Sequence, residues 1–366
     1  MMKNFIIDIL DDHFSEELAK HVYTHSYLLQ YLDKKTKSVD RSSKARGSYA
    51  NLYAIYVLIE DYIKKGYLDQ ASDYSTYDGM AFTEALRRTR ELPFGGKIQN
   101  HALNNRCNDE FRKFFSTYTK EVPIIRNLDT KRYWINDKLL EVDIDDQTIN
   151  IAPICIEIIE KYADLKMTNF NTFFDDLVEQ KKIVKTRPDS VVEYISELLN
   201  PNSDARIFEI VSYVIIKYHF ITQKITYSIN DEKKISDVLT VFKVGRTNAN
   251  DGGIDYIMKP LGRIFQVTEV LDFKKYFLDI DKLIYYPITF VVKQDITPTE
   301  AFEKIVRDAK EKYSDADTLD SYLSSFEEII TIPTLKKMLT SNIKKGFLSD
   351  MVDELVTQCK VEYNIE

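Results

Sequence analysis

The residues best suited to chemistry lie in GRTNANDGGIDYIMKPLGRIFQVTEV, residues 245–270. Gly252 and Gly253 precede Ile254–Asp255, which sets an acid at the start of an expected strand. Lys259–Gly262 suits a type I turn, with Pro260 second and Gly262 fourth. On the returning strand Gln266 and Thr268 point to one face, Val267 and Glu269 to the other. Antiparallel pairing then brings Asp255 close to Gln266 and Thr268. Upstream, Glu209 stands one to two turns into a helix capped by Ser203–Asp204. An acid on a helix, an acid at a strand start and polar residues at i, i+2 of the next strand make an oxygen-rich site for a divalent cation. Mg²⁺ suits it, since this ion takes one or two carboxylates and fills its shell with water and phosphate. Asp251 reads as a turn residue.

The elements that must position these residues follow from spacing. Up to about residue 185 the chain reads as helices, around Leu18–Leu32, Ser48–Ile63, Ala81–Arg90, Asn105–Tyr118, Ile151–Lys166 and Phe170–Val184. Pro93–Gly95–Gly96 is a breaker, Pro123 opens an extended piece, and Asp143–Thr148 is an expected turn. From 186 the texture changes to helix, three strands (Val238–Val244, Gly253–Met258, Gly262–Val270), helix (Phe273–Ile284) and strand (Ile288–Val292). The tail from Thr299 reads as helical. Three parts are therefore expected: a mainly α-helical N-terminal domain (1–185) for DNA recognition, an α/β core (186–298), and C-terminal helices (299–366) packing on that core.

Glu209, Gly252–Gly253–Ile254–Asp255 and Gln266–Val267–Thr268 together resemble the Mrr-like branch of the PD-(D/E)xK nuclease superfamily. The resemblance covers roughly residues 203–295, and the layout is similar to a type II restriction endonuclease. It implies an α/β nuclease core, a mixed central sheet flanked by helices. It also implies a catalytic set of Glu209, Asp255, Gln266, Thr268 and Glu269, with Mg²⁺ held by Asp255, Glu209 and the Val267 carbonyl. The implied activity is Mg²⁺-dependent hydrolysis of double-stranded DNA that leaves 5′-phosphates. A homodimer follows, because two symmetric sites readily cut both strands. A cognate DNA methyltransferase is the further partner that the resemblance allows. Position 268 departs from the pattern: Thr268 stands where the family carries lysine. Glu269 through a bulge, Lys274 or Lys275 from the next helix, or the metal itself are the replacements open to the sequence. The same departure leaves two other readings open, a modification-dependent endonuclease and a non-catalytic DNA-binding protein.

Charge supports a nucleic-acid partner in one place only. The chain of 366 residues has 50 Lys+Arg against 58 Asp+Glu, a net charge of -8. Residues 87–132 nevertheless hold eleven basic and five acidic residues, leaving the remainder at -14. This segment offers Arg88, Arg90, Lys97, Gln99, Asn100, His101, Asn104, Asn105 and Arg106. Arginine pairs with guanine and amides pair with adenine in the major groove, while basic groups grip phosphates. Lys44 and Arg46 form a second basic cluster for the backbone, and Lys131–Arg132 lie beside the single Trp, Trp134. His21 and His25 are spaced i, i+4 without the Glu of a HExxH motif, so the histidines read as surface residues. Three scattered cysteines argue for a reducing compartment and against a zinc site. The acidic start after a short apolar patch and the lack of a long apolar run point to a cytoplasmic protein with no membrane partner.

Overall fold

The computed structural model describes residues 5–37, 45–69, 73–96, 98–144, 147–228, 234–245, 254–313 and 315–363. The chain forms two compact units, residues 1–171 and 172–366. Where the sequence suggests a break near 185, a single helix, α7 (Ala152–Ile183), runs without interruption through residue 171. Between Pro153 and Pro188 no residue breaks a helix, so the polar stretch at Met167–Asn169 does not end it.

In the first unit, helices α1 (Phe5–His13), α2 (Glu16–His25) and α3 (Tyr27–Thr36) precede α4 (Ala45–Lys64). Helix α4 is buried nearly all round: Leu52, Ala54, Ile55, Val57 and Ile59 are all inaccessible to solvent, the signature of a core helix. Its one buried amide, Asn51, donates to the Tyr31 hydroxyl at 2.8 Å and to the Glu110 carboxylate at 2.5 Å. Lys35 closes this network on Glu110 at 2.7 Å. The short strand β1 (Met80–Ala81), helix α5 (Phe82–Glu91), a π-helix at Ala102–Arg106 and α6 (Cys107–Phe115) follow. The expected breaker ends α5, and a Cβ on Gly95 would lie 2.0 Å from the Thr89 carbonyl, so only glycine fits there. After Pro123 the structure holds two hairpins that helical spacing did not reveal in full. Strands β2 (Ile124–Asn127) and β3 (Arg132–Ile135) join β1 in a three-stranded sheet, and β4 (Glu141–Ile144) pairs with β5 (Gln147–Asn150).

In the second unit, α8 (Pro188–Leu198) and α9 (Ala205–Phe220) lead to a small hairpin, β6 (Lys224–Tyr227) and β7 (Ile235–Val238). The central sheet then forms from β8 (Thr240–Lys243), β9 (Tyr256–Lys259) and β10 (Arg263–Thr268) as an antiparallel meander. Helix α10 (Phe273–Lys282) carries the chain across to β11 (Ile288–Val292), parallel to β10. All five residues of β11 are buried, as expected of a strand covered on both faces.

One expectation is overturned in the tail. Beyond α11 (Pro298–Lys310) and α12 (Ala316–Ser324), residues Phe326–Thr331 form strand β12, parallel to β11, rather than helix. The run Ile329–Ile330–Thr331 is buried against β11, and pairing there outweighs the helical texture on either side. The sheet order is β12-β11-β10-β9-β8. Helices α13 (Ile332–Lys344) and α14 (Leu348–Tyr363) complete this unit, sharing one hydrophobic cluster with α9 and the sheet residues Val241, Tyr256, Met258, Phe265 and Val291. The opposite face, with Ile288, Phe290 and Val292, packs on α10, α11 and α12. Thus the second unit is a mixed sheet between two helical layers.

The β9–β10 turn is also wider than expected. Gly262 N–H bonds to the Met258 carbonyl at 2.9 Å, and Gly262 takes a left-handed backbone with φ 68°.

Candidate functional site at the end of the central sheet

Glu209 lies in the second turn of α9. The Asp204 carboxylate caps this helix by accepting from Arg206 N–H at 2.8 Å. The neighbours of Glu209 are Phe208, Ile210 and Val211, all buried, and Glu209 itself is only 6% exposed. It therefore does not sit on a solvated face, the ordinary place for a helix glutamate. Its carboxylate meets the Lys243 ammonium at 3.0 Å, and Lys243 lies 4.0 Å from Glu362. Lys243 ends β8, directly opposite Tyr256 of β9. The Tyr256 hydroxyl donates to the Glu209 carbonyl at 2.5 Å and lies 3.0 Å from the Ser212 hydroxyl. Burial, then the charges of Glu209 and Asp255, push the Tyr256 phenol well above its ordinary range, so it remains a neutral donor.

Asp255 precedes Tyr256. Its N–H bonds to the Phe265 carbonyl at 3.0 Å, although Tyr256 is the residue paired with Phe265. Asp255 thus lies just beyond the last ladder pair, tied to β10 by its own N–H. The Asp255 carboxylate accepts the Val267 N–H at 2.6 Å, a charge-assisted bond. The Val267 carbonyl in turn accepts from the Gln266 side-chain amide at 3.3 Å. Gln266 is 7% exposed, and among the described residues its Oε1 has no hydrogen-bond partner. Gly252 and Gly253, the other half of the motif, lie outside the described residues.

Thr268 is buried at the end of β10, in register with Val292, and its hydroxyl lies 3.5 Å from the Val270 carbonyl. Strand alternation places it on the face that packs on α10, whereas Val267 packs on the α9 side. Pairing of β10 with β11 runs in unbroken register through Thr268, so β10 carries no bulge there that would turn Glu269. Glu269, just past the strand, meets the Lys293 ammonium at 3.0 Å. Of the lysines that the sequence offered as replacements, Lys274 is exposed and Lys275 is paired with Asp279 at 2.5 Å. Lys243 and Lys293, which spacing did not single out, are the lysines paired with Glu209 and Glu269. The only sequence signal for Lys293 is a cation directly after the largely apolar run ITFVV.

Among the described residues no group of three His, Cys, Asp or Glu side chains is placed to hold a metal ion. The donor set is leaner, the Asp255 carboxylate and the Val267 carbonyl; Gln266, in register with Phe290, shares the sheet face of Thr268. Mg²⁺ takes one or two carboxylates and fills its shell with water, so the Asp255 carboxylate and the Val267 carbonyl suit a hydrated ion. In this state Glu209 is engaged by Lys243 instead.

In the first unit the proposed DNA-contacting residues divide into two groups. Arg88 makes a two-pronged ion pair with Glu60, with both bonds at 2.8 Å. Arg90 donates to the Ile98 carbonyl at 3.1 Å, the Asn104 amide oxygen accepts from the Tyr133 hydroxyl at 3.2 Å, and Asn105 accepts from Arg126. Gln99, Asn100, His101 and Arg106 are exposed, the last at the end of the π-helix. Such helices are rare and occur frequently at functional sites. Lys44, Lys97 and the side chain of Arg46 lie outside the described residues.

Among the described residues no helix is long and apolar enough to cross a membrane. The chain matches no protein-family model, no curated protein and no solved structure.

Proposed function

We propose that the chain is a Mg²⁺-dependent endonuclease acting on double-stranded DNA, of the restriction type. The observation that carries this reading is the Asp255 carboxylate, anchored on the Val267 N–H at the end of the central sheet. The order of helix, three antiparallel strands, crossover helix and parallel strand supports it, with Glu209 on the leading helix. Asp255 and the Val267 carbonyl would hold the ion; when bound, it lowers the pKa of water and offsets phosphate charge. The chain's own part is positional. The Val267 N–H fixes the Asp255 rotamer, and Tyr256 ties β9 to α9. In the reaction a water oxygen bonds to phosphorus and loses a proton to solvent. The bond to the 3′ oxygen breaks, and that oxygen takes a proton, leaving a 3′-hydroxyl and a 5′-phosphate.

A second reading, a DNA-binding protein without catalysis, is favoured by the Lys243 ammonium on Glu209 and by Thr268. Plasmid and phage DNA, methylated and unmethylated, incubated with pure protein with and without Mg²⁺, separate the readings. Discrete Mg²⁺-dependent bands that vanish in Asp255→Asn, with DNA binding retained, support the nuclease. Cutting confined to methylated DNA points to modification dependence. Retarded but intact DNA under every condition supports the binding protein, and the nuclease reading then falls.

A further inference from the structure

If the site hydrolyses phosphodiesters, position 268 lacks the cation that would face the phosphate. The neighbouring strand supplies one. Lys293 follows Val292 of β11, and its N–H bonds to the Thr268 carbonyl at 2.9 Å, so it sits directly beside the end of β10. Its side chain is 3% exposed, while that of its partner Glu269 is 25% exposed. The Lys293 ammonium donates to the Ser203 carbonyl at the entry to α9 and lies 5.9 Å from the Phe208 ring centroid. The Gln294 amide holds the Glu269 carbonyl at 2.7 Å. The cation is therefore desolvated and held between the Ser203 carbonyl and the more exposed Glu269 carboxylate. Glu269 follows Val267, the anchor of Asp255, by two residues, roughly 7 Å along an extended chain.

We propose that Lys293 is the phosphate-binding cation of this site and that Glu269 is its placeholder. A non-bridging phosphate oxygen displaces the Glu269 carboxylate and takes over the ammonium. Lys293 keeps its proton throughout and donates a hydrogen bond. A pre-fixed, water-poor cation stabilises developing phosphate charge far more than a solvated one. This inference rests on the nuclease reading, and it assigns Glu269 a role opposite to that of a ligand: its charge competes with DNA.

The roles predict changes of opposite sign, which a structural strut does not. The full chain and its Lys293→Met, Lys293→Arg and Glu269→Gln variants are compared in two measurements. One is single-turnover cleavage of plasmid with Mg²⁺; the other is anisotropy of a labelled duplex with Ca²⁺ in place of Mg²⁺. We expect Lys293→Met to slow cleavage at least about 100-fold, Lys293→Arg to recover a substantial part, and Glu269→Gln to tighten duplex binding at least about threefold. Should Met unfold the unit, Lys293→Met/Glu269→Gln removes both members, leaves no unpaired charge, and is expected to be equally slow. Cleavage by Lys293→Met within threefold of wild type overturns the proposal while leaving the nuclease reading intact. Weaker duplex binding in both Lys293→Met and Glu269→Gln also overturns it, making the pair a strut. A wild-type chain that cuts no DNA removes the nuclease reading, and this proposal with it.

Discussion

The pair Glu209–Lys243 decides whether the acid of α9 is held by the fold or open to a ligand, and a double-mutant cycle measures this. The side chains are 8% and 9% exposed and meet at 3.0 Å. Removing one partner of a buried pair leaves an uncompensated charge and costs about 3–5 kcal/mol. Lys243 also faces Glu362 at 4.0 Å, so Lys243→Met is expected to be the costlier single change. Replacing both, as Glu209→Gln/Lys243→Met, leaves less unpaired charge than Lys243→Met alone and is expected to cost about 1–2 kcal/mol less than the two single losses together. For a unit of 195 residues, a loss of 3 kcal/mol lowers the melting temperature by about 6–12 °C. Differential scanning calorimetry and urea titration of the four proteins give the coupling energy. A value below about 0.5 kcal/mol means that the carboxylate and ammonium do not act on each other, and the argument that Lys243 holds Glu209 fails.

Other outcomes follow from the same geometry. Thr268→Lys aims an ammonium at the Val292 side of the sheet, so it is expected to destabilise the unit by several kcal/mol without raising cleavage, read by urea titration and plasmid assay; a gain in activity would show that position 268 faces the site. The Arg88 hydrogen bonds hold the Glu60 carboxyl below its ordinary range. Stability from that shift is present above the unfolded-state value of about 4.3 and is lost as pH falls through the lower folded value. Arg88→Met is therefore expected to show its full loss at pH 7 and a smaller one at pH 3, measured by urea titration at each pH. A gap that widens in acid would reverse the assignment. Arg106→Ala is expected to weaken binding to cognate DNA by about 1–3 kcal/mol in anisotropy titrations if this exposed arginine reads a base. Unchanged affinity would return it to ordinary surface.

Local pattern alone determined a good deal about this protein. The strand ITFVV, the helix that begins at Phe273 and the cap at Asp204 are all legible, because alternation, amphipathic spacing and capping chemistry act over a few residues. So is the antiparallel pairing of β9 with β10, since one turn joins them, although Asp255 meets the Val267 N–H and not Thr268 as spacing suggested. Tertiary structure decided the rest. FEEIIT becomes a strand only because β11 offers it an unpaired edge, and α7 stays whole because nothing breaks it. Lys243 and Lys293 lie 34 and 84 positions from Glu209, and only the sheet brings the first to that acid and the second to Glu269. A buried charge must find its opposite wherever the fold supplies one, and sequence spacing holds no record of that partner.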